Sequence, residues 1–249
     1  SVKGGAVAVD GAVEVGPYRR EIDSRGPAAP IVDALARALS ELHGRVGGRD
    51  VRGVGVSMPG PFDYASGVSL MRGLGKLDAL YGMSLAPAIV AGAPALAGLP
   101  WRWLNDAQAF ALGELRYGAA VGVERAMFLT LGTGCGSAFA VGGRLVGSGP
   151  GVPEGGFVYP LLHEGRTVDE LLSARGVMRA WHEVAAAGEL GCVASSAADV
   201  GKLAEEGQPA ALEALERFGA TLAVALAPVF AEFGPDVVVL GGLVSRSLP

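Results

Sequence analysis

The stretch LTLGTGCGSAFAVGGRLVGSG, residues 129–149, joins an apolar, strand-like run to a glycine-rich turn and then to a hairpin. Glycines in the turn, Gly132–Gly136, let the backbone approach a ligand closely. Successive N–H groups can then face one concavity, which suits an anion such as phosphate. An ordinary turn is the alternative, because Phe139 stands where a dinucleotide fingerprint has its third glycine and no Gly-Lys-Ser/Thr follows. Both interpretations put a tight turn directly after a strand.

The same plan occurs near the start of the chain, in GAVAVDGAVEV, residues 5–15. Ala8-Val9-Asp10-Gly11 aligns with Ala140-Val141-Gly142-Gly143, and in that register Gly4 matches Gly136 and Ser1 matches Thr133. A duplicated unit of strand, glycine turn and hairpin predicts two similar lobes. The alignment also leads us to expect that the chain begins inside the first glycine turn and that it is a fragment truncated at both ends.

Composition narrows the class of protein. Half of the 249 residues are hydrophobic and the net charge is −5. Without a run of Lys or Arg, nucleic acid is not an expected partner. Two cysteines, Cys135 and Cys192, form neither a disulfide framework nor a zinc module, and with no apolar run of about 18 residues we expect no membrane span. These features predict a cytoplasmic protein without a metal site of its own.

Strands alternate with helices along the chain, which predicts an α/β fold. The first hairpin is expected at 6–9 and 12–15 around Asp10-Gly11, because Asp-Gly between apolar runs favours a two-residue turn. A strand over 51–63 is expected to break at Pro59-Gly60-Pro61, and a polar loop to follow over 64–82. We predict helices at 27–45, 85–93 and 106–117, strands at 100–104, 126–132, 136–149 and 236–242, and mostly helix from 167 to the last strand.

The segment LNDAQAFALGE, residues 104–114, admits two interpretations. In one, Asn105 caps a helix, Gln108 completes a capping box, and Asp106 complements the positive helix end. In the other, the carboxylate of Asp106 stands at the carboxyl end of a strand, where open α/β sheets bind ligands. There it could accept a proton from a substrate hydroxyl that attacks phosphorus.

Three further positions are also ambiguous on the sequence alone. Glu154 and Glu170 are either solvated carboxylates or acceptors of hydrogen bonds from sugar hydroxyls. The pair Gly241-Gly242 follows an apolar strand, and it is either a plain strand-end turn or a place where a flat nucleoside approaches the backbone.

The order of these motifs along the chain is more informative about the protein family than any single motif. GVGVSMPGPFD, LNDAQAFALGE, the stretch from 129 to 157 and VVVLGGLVS together resemble the ROK family (repressor, open reading frame, kinase), in the actin-like, hexokinase-type superfamily of sugar kinases. The resemblance implies an α/β, two-lobed actin-like ATPase (ribonuclease H-like) fold with a cleft between the lobes. Residues 1–104 would form the N-terminal lobe and residues 105–249 the C-terminal lobe, which carries the second phosphate loop and part of the adenosine site.

The resemblance also implies a chemistry, glucokinase-like transfer of phosphate from ATP, with Mg²⁺, to a hexose or hexose derivative by a homodimeric enzyme. Asp106 would be the catalytic base. Matched by position, the sugar ligands are Asn105, Glu154 and Glu170, the phosphate-binding residues are Gly132, Thr133, Gly134 and Gly136, and the adenosine-site residues are Gly241 and Gly242. A non-catalytic sugar-sensing regulator and a degenerate structural member of the family are the alternatives.

The departures from the family pattern are specific. The cysteine-rich zinc motif is absent and Phe157 stands where its histidine partner is usual, so the resemblance implies no structural zinc here. The loop MRGLGKLDALYGMSL, residues 71–85, replaces a Pro-Asn sugar-binding stretch and leaves the sugar open. The first phosphate motif, Asp-x-Gly-Gly-Thr, is absent, and without it we expect this stretch alone to bind ATP poorly.

Overall fold

A computed structural model describes residues 1–47, 50–187, 193–242 and 244 of the chain. It confirms an α/β protein, and the chain divides into two compact units, Ser1–Asp106 and Ala107–Pro249. The boundary predicted from the sequence lies between residues 104 and 105. Cys192 lies outside the described residues, so the prediction that involves it is unaffected by the structure.

The described residues of unit 1 form three two-stranded sheets and two α-helices. Strand β1 (Val2–Val7) pairs antiparallel with β2 (Val13–Arg20), and β3 (Val54–Ser57) pairs in parallel with β6 (Trp101–Leu104). A short hairpin of β4 (Phe62–Asp63) and β5 (Val68–Ser69) lies between them in sequence. The helices are α1 (Ala28–Val46) and α2 (Leu85–Gly92).

Helix α1 forms because its apolar side chains recur at helical spacing on one face, where Ile31, Val32 and Ala36 are buried. It ends at Gly47, whose φ of 66° is the left-handed conformation that glycine adopts without strain. The buried face packs in the core of unit 1 with Met71, Leu80, Leu85 and Ile89, each at most 1% exposed.

The predicted two-residue turn in the first hairpin is wrong. Val7 pairs with Val13, so a five-residue segment from Ala8 to Ala12 connects the strands. Gly11 has a φ of 94°, whereas Asp10 does not have the positive φ that a two-residue turn of this kind requires. The Asp10 carboxylate instead accepts a hydrogen bond from the N–H of Ala12 at 3.0 Å, which favours the wider turn.

The segment from 51 to 82 is also more broken than predicted. The strand covers only Val54–Ser57, and the chain after Pro59-Gly60-Pro61 forms β4 instead of continuing it. The predicted polar loop contains β5 and a 3₁₀ turn, Asp78–Leu80. This turn and Met71 are ordered by burial, since Met71 and Leu80 are both fully buried.

Unit 2 is built on a four-stranded sheet with the order β12-β7-β8-β9. These strands are β7 (Arg125–Leu131), β8 (Cys135–Val141), β9 (Arg144–Val146) and β12 (Val237–Gly241). The two-residue turn between β8 and β9 is as predicted, because Gly142 and Gly143 both have positive φ, 56° and 73°. A second small hairpin pairs β10 (Leu162–His163) with β11 (Arg166–Thr167).

The described residues form five helices beside these sheets, and the four after residue 167 confirm the predicted helical pattern. Helix α3 (Asp106–Tyr117) has the predicted bounds. The others are α4 (Val168–Leu171), α5 (Ala174–Ala187), α6 (Ala197–Glu205) and α7 (Pro209–Phe233).

Among the described residues, α7 is long and apolar enough to cross a membrane by length and composition alone. The core helices of water-soluble proteins meet the same criterion. Leu215, Phe218, Leu226 and Phe233 of α7 are buried in the core of unit 2 with Phe139 of the sheet. That packing accounts for part of the apolar sequence, since 33% of the apolar window of α7 is buried.

Candidate active site

The two glycine segments predicted to bind ATP lie side by side in the sheet of unit 2. Thr130 of β7 pairs with Gly136 of β8 on one side and with Gly241 of β12 on the other. Since β7 and β12 are parallel, both segments follow the carboxyl end of a strand at the same edge of the sheet. Ligands of open α/β sheets bind at this edge.

We call the residues Gly132–Gly136 the phosphate loop. Inside it, the N–H of Gly132 donates to the carbonyl of Gly134 at 3.0 Å. The N–H of Cys135 donates to the Asp169 carboxylate at 2.8 Å. Within the described part of the chain, the N–H groups of Thr133 and Gly134 have no acceptor. Two neighbouring backbone donors thus have no protein acceptor, which binding of an anion would require; phosphate binding by this loop stays a prediction.

Close packing explains why three positions of these two segments have glycine. A Cβ at Gly136 would overlap Thr130 Oγ1 and lie 3.0 Å from the Ala107 methyl group in the first turn of α3. A Cβ at Gly241 would lie 2.6 Å from the Phe110 ring, and one at Gly242 would overlap the Leu131 carbonyl oxygen. These glycines therefore have a packing role, which operates whether or not a nucleotide binds.

The surroundings of the Cys135 thiol, within the phosphate loop, keep it unreactive. Cys135 is 3% exposed, and burial, with a smaller contribution from the nearby Asp169 carboxylate, raises the pKa of the thiol to about 12. The group stays protonated at neutral pH, so it contributes no thiolate to the chemistry of this loop.

Asn105 and Asp106 follow the other parallel pair, β3 and β6, at the carboxyl end of β6. The N–H of Met58, after β3, donates to the Leu104 carbonyl at 2.9 Å and extends the pairing to this end. Asp106 is exposed as the first residue of α3, and Asn105 is partly buried. The carboxylate is accessible to a ligand at the position that the resemblance gives to the base.

Tyr64 is a residue that the sequence analysis did not identify. Its hydroxyl donates to the Met58 carbonyl at 3.0 Å and accepts from Nδ2 of Asn105 at 3.2 Å. The ring packs against Phe62, 5.2 Å between centroids. These contacts orient the Asn105 amide, although Tyr64 and Asn105 are 41 positions apart in the chain.

Glu154 lies at the start of a 3₁₀ turn, Glu154–Gly156, and its side chain is exposed. The turn is fixed to β8 because Ser137 Oγ donates to the Gly156 carbonyl at 2.7 Å and accepts from the N–H of Val158 at 2.9 Å. Phe157 packs against Tyr159, 5.8 Å between ring centroids. The aromatic side chain occupies the position where the family has histidine, in an apolar contact.

Glu170 has a structural role in α4. Its carboxylate accepts hydrogen bonds from the N–H of Thr167 at 2.9 Å and the Thr167 hydroxyl at 2.8 Å, while Thr167 Oγ1 caps the N–H of Glu170. The bonds from Thr167 lower the pKa of Glu170, helped by Arg175 and Arg166. The Thr-x-x-Glu spacing is the signal of a capping box, and it was present in the sequence. Sugar binding by Glu170 stays a prediction.

Asp169 and Arg175 were also not identified from the sequence. The Asp169 carboxylate holds Cys135 through one oxygen and pairs with Arg175 Nη2 at 2.5 Å through the other. On the other side of the phosphate loop, the N–H of Ala174 donates to the Gly132 carbonyl at 2.7 Å. The start of α5 and helix α4 together support the loop.

In the described ranges, no group of three or more His, Cys, Asp or Glu side chains could hold a metal ion. The structure brings the phosphate loop together with Gly241 and Gly242 in unit 2, and Asn105 with Tyr64 in unit 1. Glu154 and Glu170 each lie on elements of unit 2, and their predicted sugar contacts stay predictions.

Comparison with known proteins identifies relatives across nearly the whole chain. The model of the ROK family matches residues 18–248. The bifunctional enzyme NanE/NanK of Brucella melitensis is 32% identical over 181 residues, covering 68% of this chain and 33% of the relative. The chain thus spans about a third of the length of the curated NanE/NanK relatives that it matches.

Solved structures show the same fold. A ROK hexokinase from Thermus thermophilus superposes with a TM-score of 0.68 and 25% identity, over 92% of this chain and 74% of that chain. A ROK family glucokinase from Streptomyces griseus was solved in complex with glucose and AMPPNP. It superposes with a TM-score of 0.73 and 22% identity, over 98% of this chain and 80% of that chain. These matches confirm the predicted actin-like α/β fold class. This chain belongs to the ROK family.

Proposed function

We propose that this protein is a sugar kinase that transfers the terminal phosphoryl group of ATP to a hydroxyl group of a hexose or hexose derivative. The observation that carries the proposal is the row of Gly136, Thr130 and Gly241 across three strands, with the phosphate loop and Gly242 directly beyond it. A loop with two available N–H donors next to a second glycine turn suits the phosphates and the nucleoside of one nucleotide. Family membership and the kinase relatives support the same activity.

In the proposed reaction, the hydroxyl oxygen of the sugar attacks the γ-phosphorus of ATP, and Asp106 accepts the proton of that hydroxyl. Asn105 and Glu154 hold the sugar, and Glu170 is retained as a further candidate ligand. The N–H groups of Thr133 and Gly134 stabilise the charge on the phosphate oxygens, because phosphoryl transfer depends mainly on positioning and charge stabilisation. Mg²⁺ belongs to the proposal as the metal of the nucleotide, since it binds phosphate oxygens with few protein ligands.

Three finer points belong to the same proposal. Glucose is the first sugar to test, because a relative was solved with it. N-acetylhexosamines belong in the same test, because Phe157 changes a position that contacts sugar in the family. We also propose that the enzyme is a cytoplasmic homodimer.

A coupled ADP-release assay of the full-length protein across hexoses and N-acetylhexosamines, with ATP and Mg²⁺, tests the function. We expect one or a few sugars to raise ADP release at least about tenfold over the rate without sugar, with wild-type protein and not with Asp106→Asn. Sugar binding by calorimetry without ADP release for any sugar would contradict the kinase and favour the sugar-sensing regulator.

Tyr64→Phe tests how the sugar is held. The phenylalanine keeps the ring contact with Phe62 but removes the hydroxyl that bonds Asn105 and Met58. We expect KM for the sugar to rise about three- to tenfold, the equivalent of one lost hydrogen bond, while kcat changes less than twofold. Steady-state kinetics measure both constants. Tyr117→Phe, at a side chain that is 64% exposed, is the matched control and should leave both unchanged.

A further inference from the structure

We propose that Asp169 and Arg175 form a charge-balanced brace for the phosphate loop, in which Asp169 fixes the loop and Arg175 cancels the charge that Asp169 brings to an anion site. Both are positioning residues, since they act through the loop. The inference rests on the proposed function for its nucleotide, and on the geometry alone for the brace.

The brace links three parts of unit 2. One oxygen of Asp169, on α4, accepts the N–H of Cys135 at 2.8 Å. The other pairs with Arg175, in the first turn of α5, at 2.5 Å. The preceding residue, Ala174, donates its N–H to the Gly132 carbonyl at 2.7 Å. The loop is thus held near both ends by the segment that joins α4 to α5.

The bond to Asp169 determines which donors face a ligand. With the N–H of Cys135 bound to Asp169 and that of Gly132 bound inside the loop, Thr133 and Gly134 keep the N–H groups that remain unbonded within the described residues. If Asp169 were absent, the N–H of Cys135 would lose its acceptor, and the loop could reorient to satisfy it. Asp169 therefore selects the conformation that presents the Thr133 and Gly134 N–H groups together.

A carboxylate at this place is unfavourable for an anion unless its charge is offset. Asp169 lies directly against the loop, because a Cβ at Gly134 would be 2.8 Å from its Oδ1. Its side chain is 31% exposed, so solvent screens the charge only in part. The guanidinium of Arg175, at 61% exposure, supplies the opposite charge and still has N–H groups that face water.

This arrangement predicts that the effect of removing Arg175 on nucleotide affinity depends on the charge of Asp169, which distinguishes it from direct nucleotide binding by Arg175. Removing Arg175 leaves an uncompensated negative charge beside the phosphate loop, so binding of an anionic nucleotide should weaken. If Asp169 is first made neutral, the negative charge that lies against the loop is gone, and removing Arg175 should then matter little. An arginine that touched the phosphates itself would be needed in both backgrounds.

The experiment measures the Kd of Mg²⁺-AMPPNP by calorimetry for the full-length protein. We expect Arg175→Ala and Asp169→Ala each to raise Kd about tenfold. We expect Asp169→Asn/Arg175→Ala to lie within about threefold of Asp169→Asn, whose amide oxygen keeps the acceptor for Cys135. Arg217→Ala is the matched control, since it removes a 2.7 Å ion pair to Glu213 on α7. Arg217→Ala should leave the Kd of Mg²⁺-AMPPNP unchanged and the Kd of the sugar within twofold of wild type.

Hydrogen exchange supplies a readout that needs no nucleotide. Asp169→Ala should increase exchange at the Cys135 amide at least about tenfold, and Asp169→Asn should restore most of the protection. Unchanged exchange in Asp169→Ala would overturn the brace. An equal loss of affinity from Arg175→Ala in the wild-type and Asp169→Asn backgrounds would overturn the role of Arg175 as counter-ion. Wild-type protein that binds no AMPPNP, with exchange as expected, would overturn the proposed function and leave the loop geometry standing.

Discussion

Asp106→Asn is expected to lower kcat by about 100-fold or more, while the Kd of the sugar changes less than threefold. The amide has the shape of the carboxylate and keeps an oxygen that can accept a hydrogen bond at the start of α3. It cannot take a proton from the attacking hydroxyl, so the chemical step loses its base. Because Asp106 is exposed, its neutralisation is not expected to disturb the core.

Steady-state ADP release and calorimetric sugar binding measure the two quantities on the same preparation. Asp33→Asn is the matched control, because Asp33 is an exposed helical carboxylate of unit 1 that the proposed reaction does not use. It should retain wild-type turnover. If Asp106→Asn kept half or more of the wild-type kcat, Asp106 would not be the base.

The parts of the fold that local sequence determines were predictable. Helix α3 has the predicted bounds, since its apolar spacing and the polar residues before it are both local features. The strands on either side of the phosphate loop were predicted for the same reason, and two adjacent glycines specified the turn after β8. The strand before Gly241 was predicted as well, but its pairing with β7, which places Gly241 beside Thr130, was not.

Contacts between residues far apart in sequence were not predictable. Tyr64 and Asn105 meet across 41 positions, and Asp169 and Cys135 across 34. No periodicity or motif connects such residues, because the fold alone brings them together. Glu170 differs from these cases, since the capping box with Thr167 is local and could have been recognised.

The two copies of the duplicated unit align in sequence but differ in the conformation of their hairpin turns. Asp10-Gly11 aligns with Gly142-Gly143, yet the first copy has a five-residue connection and the second a two-residue turn. The two copies differ at the first turn position. Glycine at 142 takes a φ of 56° at little cost, whereas Asp10 forms a local side-chain bond to Ala12 in a different turn.

Gly242→Ala is expected to have a large effect on stability, about 4 kcal/mol, which would lower Tm by about 10 °C in a protein of this size. Gly242 has a φ of 96°, a conformation that L-residues rarely adopt. Its Cβ would overlap the Leu131 carbonyl oxygen and lie 2.9 Å from the Leu131 nitrogen. Both atoms belong to the central strand of the sheet, so relief requires β12 and β7 to separate.

Gly143→Ala separates the two causes. Gly143 also has a positive φ, 73°, but a Cβ there would meet nothing within 4 Å. It should cost only about 1 kcal/mol, the conformational part, and lower Tm by about 3 °C. Calorimetric unfolding of the three proteins gives the comparison. Equal losses in the two variants would mean that backbone conformation alone requires Gly242. A larger loss in Gly242→Ala means that contact between the end of β12 and the last residue before the phosphate loop requires glycine, with or without a bound nucleotide.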